Sequence, residues 1–215
     1  MKTIIYLVRH GESIGNMHRM CLGHTDLGLS DLGKKQARAT AEDLSSTQFD
    51  AIYSSDLLRA MDTAAPHADL RGMAVIPDEG LREIYLGEWE GLYVDDIIKR
   101  YGELYTVTWR EHFGEFRSPS GESVPELAMR MYGTVKKIGA AHPGETLLIA
   151  THAAAIRAFW GVISGIPASE LAAALPFPSN ASYSVVEYDS ESGVISPVSF
   201  SNDGHLYNMI TTWKD

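Results

Sequence analysis

Cysteine is almost absent from this sequence, since Cys21 is the only one among 215 residues. A single thiol excludes an intramolecular disulfide and is typical of a reducing compartment, so we expect a cytoplasmic protein. No segment approaches the roughly 20 consecutive apolar residues that a membrane-spanning helix needs. The short apolar run near the N-terminus is not followed by a small-residue cleavage site, which favours a buried first strand over a signal peptide.

Basic residues are also scarce, with 18 Lys and Arg against 28 Asp and Glu, for a net charge of −10. This balance argues against nucleic acid and anionic membranes as partners. It does not exclude a small anionic substrate, because local charge can oppose the global sign. The sequence contains no His-x-x-x-His or Cys-x-x-Cys pair, so we expect neither a metal site nor a cofactor.

Apolar runs of strand type alternate with helical patterns along the chain. This alternation predicts an α/β fold, a three-layer α/β/α sandwich with a mostly parallel central sheet. The predicted strands are Thr3–Val8, Asp50–Ser54, Met73–Ile76, Thr146–Ala150, Tyr183–Tyr188 and Val194–Phe200. The predicted helices are Asp31–Ser46 behind a Ser30 cap, Leu57–Leu70 with a kink or early end at Pro66, a helix from the Ser123–Glu126 capping box to about His142, and Ala154–Ser164.

The stretch Glu88–Glu122 differs from the rest, being aromatic and charged and lacking a strand pattern. We interpret it as a helical insertion, within a single domain over residues 1–215, that covers a site. Its aromatic residues, together with Tyr85, are expected to pack this cover onto the core. A second interpretation has one or two of them contacting an apolar leaving group. The aromatic residues of the cover are Trp89, Tyr93, Tyr101, Tyr105 and Trp109.

Two predicted strands end in histidine. His10 follows the first strand directly, behind Arg9 and ahead of Gly11, and His152 follows the strand Thr146–Ala150. In a parallel pair both histidines reach the same sheet edge, where ligands bind in open α/β sheets. Gly11 permits close backbone approach, and the backbone N–H groups after His152 open a helix, which predicts an anion site. A lone histidine at such a position is as often a hydrogen-bonded core residue.

We add three further polar residues to the candidate site, namely Asn16, Arg59 and Glu83. Asn16 offers an amide donor, and Arg59 lies one helical turn beyond the predicted strand Asp50–Ser54. Glu83 precedes the cover. Taken singly, Arg59 is more often a solvated helix residue and Glu83 a surface charge. The combination of a cation, an imidazole and a carboxylate suits phosphoryl chemistry.

Together these motifs resemble the histidine phosphatase superfamily, which contains cofactor-dependent phosphoglycerate mutases and related phosphatases. The matching segments are LVRHGES with Asn16, the stretch Gly23–Gly33, SSDLLRAMDTA, LREIYLGEWEGL and, more loosely, THAAAIRAF. The resemblance implies that His10 is the nucleophile and Glu83 the proton donor. It further implies a phosphate-binding set made up of Arg9, Asn16, Gly23, Arg59, His152 and Ala153. Such a cluster of cations suits transfer of a phosphoryl group without a metal.

Hydrolysis and intramolecular phosphate transfer are the alternatives within the family. The cover carries four basic and eight acidic residues, a net charge of 4 − 8 = −4, which should repel a bisphosphate. Mutases resemble His-Gly-Asn-Ser at the second histidine, where this chain has His152 followed by three alanines. The run Ile84–Gly91 looks like the phosphatase branch, which includes α-ribazole phosphatase. We therefore expect a phosphomonoesterase acting on a small phosphorylated substrate, with a mutase and an inactive phospho-ligand-binding protein as alternatives.

The remaining side chains receive plainer interpretations. Glu122 is expected to be a loop charge ahead of the Ser123 cap, and Cys21 an ordinary small residue near the pocket. His18 and His24 lie in the loop after the first motif, where they either meet substrate or face solvent. The other histidines are expected at the surface or at helix caps: His67, His112, His142 and His205.

Overall fold

A computed structural model describes residues 1–102 and 104–210, with the side chains of residues 104–106 outside that description. The helical segments are α1 Ile14–Met17, α2 Asp31–Asp43, α3 Leu58–Asp69, α4 Val94–Tyr101, α5 Val124–Ala141, α6 Ala153–Ile163 and α7 Leu171–Ala174. The strands are β1 Lys2–Arg9, β2 Met20–Cys21, β3 Ala51–Ser54, β4 Val75–Pro77, β5 Leu92–Tyr93, β6 Thr146–Thr151, β7 Tyr183–Asp189 and β8 Ile195–Asn202. Short 3-10 helices occupy Glu79–Leu81, Gly87–Trp89, Phe113–Glu115, Ala168–Glu170 and Gly204–Met209, and a π-helix occupies Leu104–Trp109.

Six of these strands form the central sheet in the order β4-β3-β6-β1-β7-β8. The first four are parallel, and β7 and β8 add antiparallel pairs at one side. Each of the six predicted strands is present, and the prediction of a mostly parallel α/β sheet is confirmed.

Alternation of apolar residues along β1 and β6 explains the three layers. Ile5 and Leu7, with Leu147 and Ile149 beside them, belong to the large core cluster that includes α5 and α6. Val8, by contrast, belongs to a second cluster that includes residues of α3 and Leu44, which directly follows α2. Because successive side chains of a strand point to opposite faces, helices cover both sides of the sheet.

The predicted helix starts are confirmed at two caps. The Ser30 hydroxyl accepts the Gly33 N–H at 3.0 Å, and Ser123 and Glu126 form a reciprocal capping box. The prediction of an early end at Pro66 is wrong, because α3 continues to Asp69. Ala60, Ala64 and Ala68 are buried on one face of α3, and this packing holds the last turn in place although proline cannot donate a hydrogen bond.

The segment 88–122 contains a strand, contrary to our prediction. Within it, β5 pairs antiparallel with β2 through Met20 opposite Tyr93 and Cys21 opposite Leu92. A strand of two residues is too short to produce an alternating pattern, so sequence periodicity could not reveal it. The side chain of Tyr105 lies outside the described residues. The assignment of residues 88–122 as an insertion in one domain stays a prediction.

The loop after β1 packs closely against the backbone at the start of α2. A Cβ added to Gly11 would lie 2.5 Å from the carbonyl oxygen of Gly33, near the start of α2. Any side chain at Gly11 would therefore push the loop after β1 away from α2.

Of the helices in the described part of the chain, none combines the length and apolar character required to cross a bilayer.

His67 contradicts the expectation of a surface position. Its ring is completely buried in α3, at 6.4 Å from the ring of Phe49, and neither ring nitrogen has a hydrogen-bond partner among the described residues. Burial, reinforced by Arg71 and then His205, lowers the pKa of His67 to about 3. Unfolded His67 therefore takes up a proton as the pH falls below about 6.5, whereas folded His67 does not until near pH 3.

We predict that the protein loses stability as the pH falls from 7 to 5, and that His67→Leu removes about 2 kcal/mol of that loss. The unfolded state binds more protons in this range, so acid favours unfolding. Urea denaturation at pH 7 and pH 5 measures the effect. The exposed residue His112 supplies the control, His112→Gln, which should keep the wild-type pH dependence. An unchanged loss in His67→Leu would contradict the prediction.

Candidate active site

The parallel pairing of β1 with β6 brings the two predicted histidines together. Arg9 pairs with Thr151, and the His10 N–H donates to the Thr151 carbonyl at 2.9 Å. The rings of His10 and His152 lie with their centroids 5.2 Å apart, edge to face. Both histidines therefore occupy the same edge of the sheet, as the sequence predicts.

His10 is held in one tautomer. Its Nδ1 lies 2.7 Å from the Gly11 carbonyl oxygen, which can only accept, so Nδ1 carries the proton and donates. Burial, together with Arg59 and Arg9, lowers the pKa of His10 well below its usual range. The neutral ring therefore keeps the lone pair on Nε2, the atom that a nucleophilic histidine needs.

Arg9 and Arg59 flank His10 as buried cations. Arg59 is 1% exposed and donates to the carbonyls of Gly23 and Thr25 at 2.7 and 3.0 Å. Arg9 donates to the Pro178 carbonyl, and its Nε has no partner among the described residues. Burial lowers the pKa of each guanidinium to about 10, partly opposed by the nearby Glu83 carboxylate. Arg59 is thus no solvated helix residue.

Glu83 occupies the amino end of α6. Its Oε1 accepts the N–H groups of Ile84 and Ala155 at 3.0 Å each, and its Oε2 accepts that of Ala154 at 3.1 Å. These three hydrogen bonds fix the Glu83 side chain at the start of the helix, where the first amides have no partner within the helix. The expectation that the amides after His152 form an open anion site is therefore wrong for Ala154 and Ala155, because Glu83 already binds them. Ala153 is the first residue of α6, so no carbonyl group of that helix is placed to accept its N–H.

His152 is completely buried and is not among the residues that line the cavity, although its ring lies against that of His10. Its Nε2 is 2.8 Å from the Ser55 hydroxyl, while its Nδ1 has no partner among the described residues. Burial, then Arg59 and His10, lowers its pKa well below the usual range, so the ring is neutral.

The other predicted phosphate-binding residues line the same cavity. The Asn16 Oδ1 accepts the Ser13 N–H at 3.1 Å and the Asn180 side-chain amide at 3.3 Å, so its own NH₂ group remains to donate. Gly23 adopts φ +51°, and a Cβ there would lie 2.4 Å from a Glu90 carboxylate oxygen. Gly23 therefore needs to be glycine to bring its carbonyl to Arg59.

The cavity has a volume of about 480 Å³, and seven of the eight predicted site residues line it, His152 being the exception. The cover contributes Val94, Trp109 and Arg110 to the wall, and the chain after α7 contributes Phe177. Cys21 also lines it; burial raises the pKa of its thiol to about 12, which leaves it protonated and unsuited to attack.

The loop that carries Glu83 is fixed from α5. Arg130 donates to the carbonyls of Gly80, Arg82 and Glu83 at 2.9–3.1 Å, and it binds both carboxylate oxygens of Glu122. Glu122 also accepts the Tyr85 N–H at 3.2 Å. His24 lies 2.9 Å from the Glu83 carbonyl oxygen, with its ring against Tyr85. Glu122 is thus more than the loop charge that we expect from the sequence.

Several of these supporting residues are absent from the sequence interpretation. Ser55 could have been found as the second residue of a serine pair directly after an apolar strand. Asn180 and Arg130 have no such signal, because they lie 164 and 47 residues from the atoms that they bind. Only tertiary contact identifies them.

Comparison with known proteins shows which family the chain belongs to. The family model of the histidine phosphatase superfamily (branch 1) matches residues 5–200. Phosphoserine phosphatase 1 of Hydrogenobacter thermophilus is 32% identical over 192 residues, 89% of both chains. A 2,3-bisphosphoglycerate-dependent phosphoglycerate mutase 2 of Gloeobacter violaceus is 34% identical over 161 residues, 73% of both chains.

A solved structure of the mycobacterial glucosyl-3-phosphoglycerate phosphatase, in complex with VO3, has a TM-score of 0.84 at 29% identity. The match covers 93% of this chain and 99% of that one. Family model, relatives and fold thus agree over nearly the whole length. The chain belongs to branch 1 of the histidine phosphatase superfamily.

Proposed function

We propose that this protein is a metal-independent phosphomonoesterase that works through a phosphohistidine on His10. One observation carries the proposal: His10 donates from Nδ1 to Gly11, which leaves Nε2 unprotonated, and the buried guanidinium groups of Arg9 and Arg59 are near enough to lower the pKa of His10. A phosphoryl group bound by Arg9 and Arg59 would lie against that lone pair. The equatorial oxygens gain charge stabilisation from cations that are already in position.

In the first step, His10 Nε2 attacks phosphorus, and the bond from phosphorus to the ester oxygen breaks. Glu83 gives its proton to the departing oxygen, which leaves as an alcohol. Oε2 of Glu83 accepts one backbone hydrogen bond where Oε1 accepts two, so Oε2 is the oxygen with room for that proton. In the second step, Glu83 takes a proton from water, which attacks the phosphohistidine and releases inorganic phosphate.

His152 and Asn16 complete the proposed set of donors to phosphate. If the Ser55 hydroxyl donates to His152 Nε2, the neutral ring carries its proton on Nδ1, the nitrogen without a partner. That N–H, the Asn16 amide and the Ala153 N–H are three further donors that add no charge.

We propose a cytoplasmic location from the single cysteine, as predicted from the sequence.

The mutase alternative has relatives in its favour, including the Gloeobacter violaceus enzyme. Beyond Arg9 and Arg59, Arg110 is the one cation among the described residues of the cavity wall. A bisphosphorylated intermediate carries two phosphoryl groups, and beyond Arg9 and Arg59 the described part of this wall offers the second one a single cation, in a cover whose net charge is −4; the wall therefore favours hydrolysis. Faster formation of 2-phosphoglycerate than of inorganic phosphate from 3-phosphoglycerate would make the mutase the better description.

We predict that a ³²P-labelled phosphomonoester leaves label on His10 when the reaction is stopped by denaturation at alkaline pH. The His10→Ala variant should carry no label and should lose at least 10³-fold in kcat, because the nucleophile is gone. His18→Ala, at an exposed histidine of the adjacent loop, is the matched control and should behave as wild type. Full activity in His10→Ala, or label on another residue, would overturn the mechanism.

We predict that Glu83→Gln slows hydrolysis by about 10²-fold or more for alkyl phosphates and much less for p-nitrophenyl phosphate. A good leaving group departs without a proton and so needs the acid least. The slope of log kcat/KM against the acidity of the leaving group measures this. Glu115→Gln, at an exposed carboxylate of the cover, should keep the wild-type slope. Equal losses across the series would count against Glu83 as the acid.

We predict that saturating inorganic phosphate raises the Tm of the protein by about 5 to 10 °C and that Arg59→Met loses most of this increase. The buried guanidinium gains an anionic partner only when phosphate binds. Differential scanning calorimetry with and without phosphate tests it. Arg100→Met, at an exposed arginine of α4, should respond to phosphate like wild type. An Arg59→Met protein that phosphate stabilises as strongly would show that the anion binds elsewhere.

A further inference from the structure

The cavity has two chemically different ends. Arg9, His10, Arg59 and Glu83 form the phosphoryl end. Outside this end the wall includes Asn16, Arg110 and Ser179, but most of its side chains are apolar, among them Met20, Leu22, Val94, Trp109, Phe177 and Ile210. A volume of about 480 Å³ lies within the roughly 300–1,000 Å³ of small-molecule sites, so the cavity has room for an organic group beyond the phosphate.

Trp109 and Phe177 form a preorganised aromatic surface within that wall. Their rings are stacked at 5.6 Å with planes 23° apart, and Phe113 contacts both edge-on, at 5.3 and 5.0 Å. The guanidinium of Arg157, in α6, lies 4.3 Å from the Phe177 ring centre and donates to the Ala172 carbonyl at 2.9 Å. These contacts fix the surface before a ligand arrives, which lowers the entropic cost of binding.

The apolar part of the cavity wall offers few polar groups that can bind a polar substrate. Glu83 is the one carboxylate among the described residues of the wall, and both its oxygens bind backbone amides. In the proposed mechanism the remaining acceptor position, on Oε2, holds the proton for the departing oxygen, so the described residues of the wall offer no further carboxylate to an ammonium group such as that of phosphoserine. The Ser179 hydroxyl donates to Asp203 at 2.8 Å, so it offers a ligand only the lone pairs of its oxygen. A sugar would lose its hydrogen bonds to water here and recover few of them.

From this arrangement we infer that the substrate is a phosphomonoester whose organic part is apolar, an aryl or branched alkyl group that packs against Trp109 and Phe177. The inference rests on the proposed phosphatase function and adds the class of substrate to it. Burial of the apolar group supplies binding energy and excludes water around the departing oxygen.

Steady-state hydrolysis of benzyl phosphate, ethyl phosphate, phosphoserine and glucose 6-phosphate tests the inference. All four have alcohol leaving groups, so intrinsic reactivity does not separate them as it would an aryl ester. We expect kcat/KM for benzyl phosphate to exceed that for each of the others at least tenfold. Trp109→Ala should reduce the ratio of benzyl to ethyl phosphate about tenfold, whereas Trp109→Leu, which keeps an apolar contact, should reduce it less. Met129→Ala, at an exposed residue of α5, is the control and should keep the ratio.

Binding measurements keep the test valid if a variant fails to fold. Benzylphosphonate should bind the wild-type protein at least tenfold more tightly than methylphosphonate in titration calorimetry. His10-dependent hydrolysis that favours phosphoserine or glucose 6-phosphate would overturn the substrate class while sustaining the phosphatase. Absence of hydrolysis for every ester, with benzylphosphonate still preferred, would overturn the phosphatase while sustaining the apolar site. Equal binding of the two phosphonates would overturn the apolar site.

Discussion

The parallel pairing of β1 with β6 is the constraint on which this site depends. Ile5 and Leu7 face one helical layer and Val8 the other, and their neighbours on β6 alternate in the same way. A slip of one residue would exchange every side chain between the two layers, so core packing fixes the register. The same register sets His10 beside His152, although the two residues are 142 positions apart in the chain. The geometry of the candidate site is thus a consequence of hydrophobic alternation.

The phosphoryl end is built from groups that are costly to bury. Arg9 and Arg59 lie under the surface with backbone carbonyls as partners, and each has its pKa lowered to about 10 by burial. Their positive charge also helps to keep His10 neutral. Removing charges from water without a full counter-charge opposes folding, and proteins tolerate it mainly at functional sites. In the proposed function a phosphate dianion supplies the missing charge, so its binding offsets part of the cost of burying the two guanidinium groups.

Glu83 illustrates how a loop residue acquires a defined position. Its carboxylate binds the amino end of α6, which begins directly after His152, so the acid and the second histidine share one structural element. Arg130 holds the backbone of the same loop through three carbonyls and is itself oriented by both oxygens of Glu122. Glu83 is therefore fixed at the side chain and at the main chain. The proton donor of the proposed mechanism needs both kinds of contact, because it transfers a proton only when it lies within hydrogen-bond distance of the departing oxygen.

The sequence by itself determined the secondary structure of the core and the residue types that meet at the sheet edge where we propose that the phosphoryl group binds. Apolar runs and caps such as Ser30 are local signals, and a histidine directly after a buried strand is a local signal as well. Such signals also fail locally. Packing of α3 carried the helix past Pro66, burial in the same helix placed His67 inside, and the pairing of β2 with β5 was too short to detect.

Only the tertiary structure decided how the phosphoryl end is held and what surrounds it. The occupation of the α6 amides by Glu83, the support of Asn16 by Asn180, and the aromatic wall of Trp109 and Phe177 join segments that are distant in the chain. No periodicity or motif encodes such contacts, because they arise when separately specified elements pack together. The physical reason is that the chemistry of a side chain is local, whereas its orientation and solvation depend on every segment that packs around it.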